Sequence, residues 1–350
     1  MKRAIAAALL LTAACTTVTP VPKPDPEPVI TAIVGSEMRG FIAALSSDSL
    51  EGRMSGTEGE KKTIAFLAAQ LSAYGVSGGM PGGSYYMPFA IPAQNKPVPK
   101  DAKGYPGGQV EFHRVMNAMG ATTSNNVVGR VAGRNPDGKV VVLMAHWDHL
   151  GLCRPAGDPD RVCNGAVDNA SGTAALLTLA ARVAAMKLDR DVWFVFTGAE
   201  EWGLLGAKAF AAKPPVPLEA IVAGFNLDTI AVAPAGMPVA MVAERNSPLV
   251  PLVRDAAAAM GRAWDGDDEA APFIERQDGW PLTQKKVPMV MVGGSFSDMK
   301  LLRDFLGEDY HGQDDELTVR TDLGGAVEDA NLHIELVRRT ASRSFQPKAD

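Results

Sequence analysis

Three near-continuous apolar runs constrain this chain more than any other feature. Val140-Val141-Val142-Leu143-Met144-Ala145, Val192-Trp193-Phe194-Val195-Phe196 and Ile221-Val222-Ala223-Gly224-Phe225-Asn226-Leu227 show almost no polar alternation. Strands written this way are buried on both faces, as in a parallel or mixed sheet covered by helices. The expected fold class is therefore α/β, a mixed, mostly parallel sheet sandwiched between helices. Open sheets of this kind carry their ligand sites outside the carboxyl ends of the strands. Each run here ends on residues suited to such a site: His146 after the first, Glu200-Glu201 beyond the second, Asp228 after the third.

Two further residues join this set. Asp168 precedes a stretch in which Leu176, Ala180 and Val183 recur at helical spacing, which puts its carboxylate at a helix start, where the helix dipole favours an anion. His311 follows Gly307-Glu308-Asp309-Tyr310, a polar segment that reads as a loop able to close over the site. His146, Asp168, Glu201, Asp228 and His311 are all residues that zinc binds. Two Zn²⁺ carry about four positive charges. Asp168, Glu201 and Asp228 would balance three of them and a bridging hydroxide the fourth, with the histidines as neutral ligands. Asp168, the one ligand approaching from the helix side, suits the bridging position. Taken singly, each residue has an ordinary alternative: a helix cap, a solvated loop acid, a surface glutamate pair, a hydrogen-bonded structural histidine.

The segments Ala145-His146-Trp147-Asp148-His149, Gly165 to Gly172, Gly198-Ala199-Glu200-Glu201-Trp202-Gly203-Leu204-Leu205-Gly206, Asn226-Leu227-Asp228 and Tyr310-His311 together resemble the co-catalytic zinc exopeptidases of peptidase family M28. That family includes bacterial leucine aminopeptidases and, more distantly, glutamate carboxypeptidase and glutaminyl cyclase. Leu50-Glu51-Gly52-Arg53 with Gly56-Thr57-Glu58-Gly59 also matches the family's opening segment, so the resemblance spans roughly residues 35 to 340. It implies the phosphorylase/hydrolase-like fold of zinc exopeptidases and two Zn²⁺ per chain, one held by His146, Asp168 and Asp228, the other by Asp168, Glu201 and His311. It further implies Glu200 as general base, Asp148 as the partner that orients His146, and Tyr310 as the oxyanion donor.

The chain also departs from the family pattern. Gln277-Asp278-Gly279 stands where many members have Ser-Asp-His, and Thr229 where many have Met. Neither change removes a ligand; both bear on specificity. His149 is a competitor of His146 that the motif match sets aside, and His113 and His333 fit no motif.

The N-terminus points to export. Met1-Lys2-Arg3 and the apolar run Ala4 to Ala14 have the form of a signal peptide over 1–14, too short to span a bilayer. Leu11-Thr12-Ala13-Ala14-Cys15 resembles a bacterial lipoprotein cleavage site, so a lipid anchor on Cys15 is expected, in a cell-envelope protein that is membrane-anchored or periplasmic. Alternating prolines from Pro20 to Pro28 read as a semi-rigid tether over 15–34, ahead of a peptidase domain over 35–345. Cys153 and Cys163, in a loop between two ligand segments, are a disulfide candidate in an oxidising compartment.

Acids outnumber bases, 40 to 34, and no basic run occurs, which argues against nucleic acid as a partner. There is no His-Glu-x-x-His and no phosphate-binding glycine loop. Gly293-Gly294-Ser295-Phe296-Ser297 lacks the last glycine of a serine-hydrolase elbow and reads as a strand-to-helix turn. Pro81 to Pro106 reads as one irregular insertion. The function expected is a metallo-aminopeptidase acting on peptides. The alternatives are carboxypeptidase-like or glutaminyl cyclase activity on the same fold, and a non-catalytic envelope binding protein.

Overall fold

The computed structural model describes residues 30–98 and 107–347. The expected signal peptide, Cys15 and most of the expected tether lie outside them. Among the described residues the centre is an eight-stranded mixed sheet. Its strands are β1 (Ser77–Gly78), β2 (Tyr86–Ile91), β3 (Thr122–Val131), β4 (Val140–His146), β7 (Asp191–Thr197), β8 (Ile221–Asn226), β9 (Ala240–Val242) and β10 (Met289–Gly293). A separate two-stranded hairpin is formed by β5 (Gly151–Leu152) and β6 (Val162–Cys163). The order is β1-β3-β7-β4-β8-β10-β9, with β2 also paired to β3. The parallel centre is β7-β4-β8-β10, and only β3 and β9 run against the other strands.

The three apolar runs are the middle strands, and period-2 alternation sends their side chains to two cores. Val141, Leu143 and Ala145 of β4 join Val192, Phe194 and Phe196 of β7 in one core. There they meet α1 (Gly35–Leu45), α2 (Glu58–Ala73), α4 (Gly172–Ala185), α6 (Val250–Ala259) and α9 (Gly324–Thr340). Val140, Val142, Met144, Trp193 and Val195 face the other way, against α5 (Leu205–Ala212) and the short α7 (Trp280–Thr283). Leu176, Ala180 and Val183 of α4 are fully buried, as their spacing predicts. The remaining helices are α3 (Gly107–Met119) and α8 (Met299–Gly307). Core packing begins at Ile33, whose backbone N–H donates to Asn331 Oδ1.

One expectation is corrected. Pro81 to Pro106 is not wholly irregular, because Tyr86–Ile91 forms β2 with alternating exposed and buried side chains. Its flanking glycines and Pro88 disguise it, but a strand paired on one side tolerates proline.

Candidate metal centre

His146 is the last residue of β4, Glu200 and Glu201 lie in the turn after β7, and Asp228 stands two residues past β8. The parallel register puts these three strand ends side by side. Asp168 sits in an irregular turn, Ala166–Ser171, which contains a cis peptide between Asp168 and Asn169. Helix α4 begins only at Gly172, so Asp168 is not its cap; the carboxylate points instead at two histidines. His311 lies in the loop after α8. Ala199, Thr229 and His311, each a candidate ligand or next to one of these acids, hold left-handed backbone at φ 53°, 52° and 59°. Such non-glycine residues store strain that surrounding structure must hold.

The five expected ligands converge as two sets that share Asp168. Its Oδ1 lies 3.3 Å from His146 Nε2, which is 3.5 Å from Asp228 Oδ1. Its Oδ2 lies 3.1 Å from His311 Nε2, which is 3.0 Å from Glu201 Oε2. Ligands about 2.0–2.1 Å from a tetrahedral zinc are separated by roughly 3.3 Å, and the histidine–carboxylate pairs of both sets are compatible with that spacing. Asp168 Oδ2 and His311 Nε2 are buried without a hydrogen bond of acceptable geometry. Among the described residues, the ion-pair partners of Asp168, Glu201 and Asp228 are histidines only. A buried group of carboxylates this poor in cationic side chains fits a metal centre.

The titration behaviour agrees. Burial opposes charging His146, yet Asp228 and Asp168 outweigh it and push its pKa well above the usual histidine value. Burial opposes charging His311 too, but Glu201 and Asp168 carry it up to about 10. Against the same burial, the histidines draw Asp168 well below the usual carboxylate range, and His311 and the hydrogen bond from His149 draw Glu201 down to about 2. Glu200 belongs to neither set, and its carboxyl is pushed well above the ordinary range by burial and by Glu201, Asp278 and Asp228.

The surrounding contacts hold the ligands from behind. Asp315 accepts the backbone N–H groups of Val167 (2.7 Å) and Asp168 (3.0 Å), while burial pushes its own pKa up to about 7. Asn169 donates to Leu227 O and accepts from Gly172 N, tying the Asp168 turn to the end of β8. The buried Arg53 guanidinium donates to the main-chain carbonyls of Leu45, Trp147, Asn164 and Gly165. Cys153 and Cys163 form a disulfide with Cα atoms 5.7 Å apart, closing the β5–β6 hairpin. Gly52 packs so tightly on that hairpin that a Cβ would meet the carbonyl oxygens of Gly151 and Cys163 at 2.6 Å.

Two details differ from expectation. Asp148 meets His146 Nδ1 through its backbone carbonyl at 3.2 Å, with its carboxylate Oδ1 at 3.8 Å. The strand ends at His146, so residues 146 and 148 do not share a strand face; the Asp148 carboxylate instead accepts the Glu200 N–H at 3.0 Å. His149 does not compete with His146. It lies with Asp168, Glu201 and His311, its Nδ1 2.9 Å from Glu201 Oε1. Gln109 of α3, whose Nε2 contacts His311 Nδ1 at 2.5 Å, was not foreseen either. His113 and His333 lie outside both ligand sets.

The pocket over this centre is lined by His146, Asp168, Glu200, Asp228 and Tyr310 on the polar side, with Phe273, Met291, Phe296, Leu302 and Leu306 as apolar walls. Arg276 also lines it, its guanidinium 5.4 Å from the centre of the Phe273 ring. Tyr310 stacks on His311 with ring centroids 3.7 Å apart, and burial and the nearby acids push its phenol pKa well above 10.

Comparisons with known proteins agree with this geometry. The chain is 30% identical over 126 residues, 35% of its own length, to the aminopeptidase YwaD of Bacillus subtilis, of which that stretch is 25%. It is 32% identical over 132 residues, again 35% of its length, to the aminopeptidase NAALADL1 of Mus musculus, of which the match covers 16%. The chain thus spans a quarter or less of these curated relatives. Its fold matches that of BSAP, a zinc aminopeptidase from Bacillus subtilis, with a TM-score of 0.63 at 16% identity over 90% of this chain and 96% of that one. Glutaminyl cyclase of Porphyromonas gingivalis matches with a TM-score of 0.59 at 18% identity, covering 87% of this chain and 97% of that one. The model of Peptidase family M28 matches residues 126–334, which contain all five converging ligands, and the chain belongs to that family.

Proposed function

We propose that this chain is a two-zinc aminopeptidase that removes N-terminal residues from peptides. The observation that carries the reading is the division of the Asp168 carboxylate between a His146–Asp228 set and a His311–Glu201 set. The two ions would be held by those sets, and when bound would supply a nucleophilic water at neutral pH and Lewis-acid polarisation of the scissile carbonyl. Glu200 is the general base: it accepts the water's proton and delivers it to the departing amine. Burial and the neighbouring acids raise its pKa above the ordinary carboxyl range, which makes it a stronger base than a solvent-exposed glutamate. Tyr310, kept protonated by burial, donates from its hydroxyl to the developing oxyanion. Asp228 and Glu200 give the substrate's α-ammonium acidic partners, without which burying it would be costly. The apolar walls receive the first side chain.

Arg276 supports a second reading. A guanidinium in the pocket is the group a carboxypeptidase-like enzyme would need for a substrate carboxylate. Export is proposed as well, supported by the Met1–Ala14 pattern and by the Cys153–Cys163 disulfide, which suits an oxidising compartment. A lipid on Cys15 remains part of that proposal, tested by mass analysis of membrane-extracted protein.

The deciding experiment measures zinc content and then activity on aminoacyl amides beside their N-acetylated forms. About two zinc ions per chain and cleavage of free N-termini only are expected. Equal rates on blocked and free substrates would refute the aminopeptidase assignment, and faster cleavage of blocked peptides with a free carboxyl end would transfer it to the Arg276 reading.

A further inference from the structure

We propose that His149 is a positioning residue for Glu201, holding one carboxylate oxygen so that the other is left to the second metal position. The proposal rests on the two-metal reading above. The Glu201 carboxylate is shared between two imidazoles, with His149 Nδ1 2.9 Å from Oε1 and His311 Nε2 3.0 Å from Oε2. A carboxylate oxygen only accepts, so the hydrogen in the first contact sits on His149 Nδ1. That bond prevents the carboxylate from rotating about its last torsion, a broad two-fold rotation that is otherwise soft. Oε2 then stays beside Asp168 Oδ2 and His311, where the ion would be bound.

The ring occupies a slot built for it. His149 is fully buried, edge-on to the His311 ring at 5.6 Å. Gly165 adopts φ 54°, and a Cβ there would lie 2.6 Å from two carbons of the His149 ring. Any side chain at 165 would therefore displace the imidazole. His149 Nε2 has no hydrogen-bond partner among the described residues, so the ring's one polar contact of hydrogen-bond length is the one to Glu201. A residue kept only for packing would not need a polar ring with one nitrogen unmet. Direct ligation through Nδ1 is the competing arrangement. It would sacrifice the 2.9 Å hydrogen bond, and Nδ1 stands farther, 3.9 Å, from Asp168 Oδ2.

Partners that orient metal ligands typically change affinity by about 10- to 100-fold when removed. The test is competition with a chromophoric chelator, reading the two zinc affinities of wild type, His149→Ala and His149→Asn, with thermal unfolding of each metal-free protein alongside. His149→Ala is expected to weaken one of the two affinities by about 10- to 100-fold and spare the other. His149→Asn should recover most of the loss, because its amide nitrogen stands close to where Nδ1 stood and can donate to Oε1. Unchanged affinities in His149→Ala would overturn the proposal. So would a joint fall of both affinities with unfolding temperature that asparagine does not rescue, or a zinc-loaded structure with Nδ1 bound to the ion. Wild-type protein that takes up no zinc sinks the two-metal reading and this proposal together; wild type that binds two ions beside an unaltered His149→Ala sinks the proposal alone.

Discussion

The acids at the carboxyl edge of the sheet and the buried acids elsewhere are stabilised in different ways. Away from the site, Asp329 is paired with Arg262 at 2.6 Å and Asp191 with Arg130 at 2.7 Å. At the edge, the ion-pair partners of Asp168, Glu201 and Asp228 among the described residues are histidines, and Asp148, Glu200 and Asp278 all have raised pKa values with burial as the main cause. Asp329 and Asp191 each come with a guanidinium, and removing either partner of such a pair leaves a charge unmet. On the two-metal reading, the edge acids would be completed by bound cations in place of an arginine of their own. On that reading, the contrast separates carboxylates that hold the fold from carboxylates proposed to serve the chemistry.

Glu200→Gln would break that contrast most directly. Turnover should fall by about 10²- to 10⁴-fold, since the amide cannot accept the water's proton, while zinc content stays at the wild-type level. The metal-free variant should be at least as stable as wild type at pH 7. A carboxyl whose folded pKa is raised holds its proton more tightly when folded, so stability falls as pH rises from the ordinary carboxyl range toward the raised value. Glutamine does not titrate and escapes that fall. Loss of zinc from Glu200→Gln, with retention in Glu201→Gln, would mean the two glutamates have exchanged roles.

The structural side is tested by Arg262→Met. It should cost about 3 kcal/mol or more in urea unfolding, because Asp329 would be left buried with only the Gly294 backbone N–H to hold it. Zinc affinity should be unchanged. A variant that lost zinc as well as stability would show that the two regions are energetically one, and the contrast would fail.

How much of this was legible follows the same division. The middle strands were readable because residues buried on both faces leave no alternation to misread, and the meeting of His146, Glu201 and Asp228 was readable because strand ends place them. Asp168 and His311 were found as positions, although neither cap nor loop reasoning foresaw that one carboxylate would face both histidines. His149, Gln109 and Asp315 were missed as contributors, since their approach is set by loops whose path depends on the disulfide hairpin, the Asp168 turn and the closing of α3 over His311. Arg53 stood inside a recognised motif, but its work is to bind four main-chain carbonyls, and no side-chain pattern announces such partners. β2 was lost behind Pro88 and its glycine-rich flank.

The smallest expected effect refines the structural side. His333 is fully buried beside the Phe225 ring, with Nδ1 2.7 Å from Asp329 O, and burial lowers its pKa to about 4. Between that value and the ordinary 6.5 the unfolded chain binds a proton that the folded chain refuses. Stability from this group is therefore complete above about pH 6.5 and is lost as pH falls toward 4. Asp329, raised to about 6 by burial despite Arg262, has the opposite slope over much of the same range, so wild type alone shows little of either. His333→Asn isolates the histidine: its amide can still donate to Asp329 O, it does not titrate, and Asp329 is kept. From pH 7 to pH 5, wild type should lose about 2 kcal/mol relative to this variant in urea unfolding. A stability difference that does not change with pH would mean that the imidazole takes up its proton in the folded protein as readily as in the unfolded chain, so that burial beside Arg262 and Asp329 does not exclude a cation there.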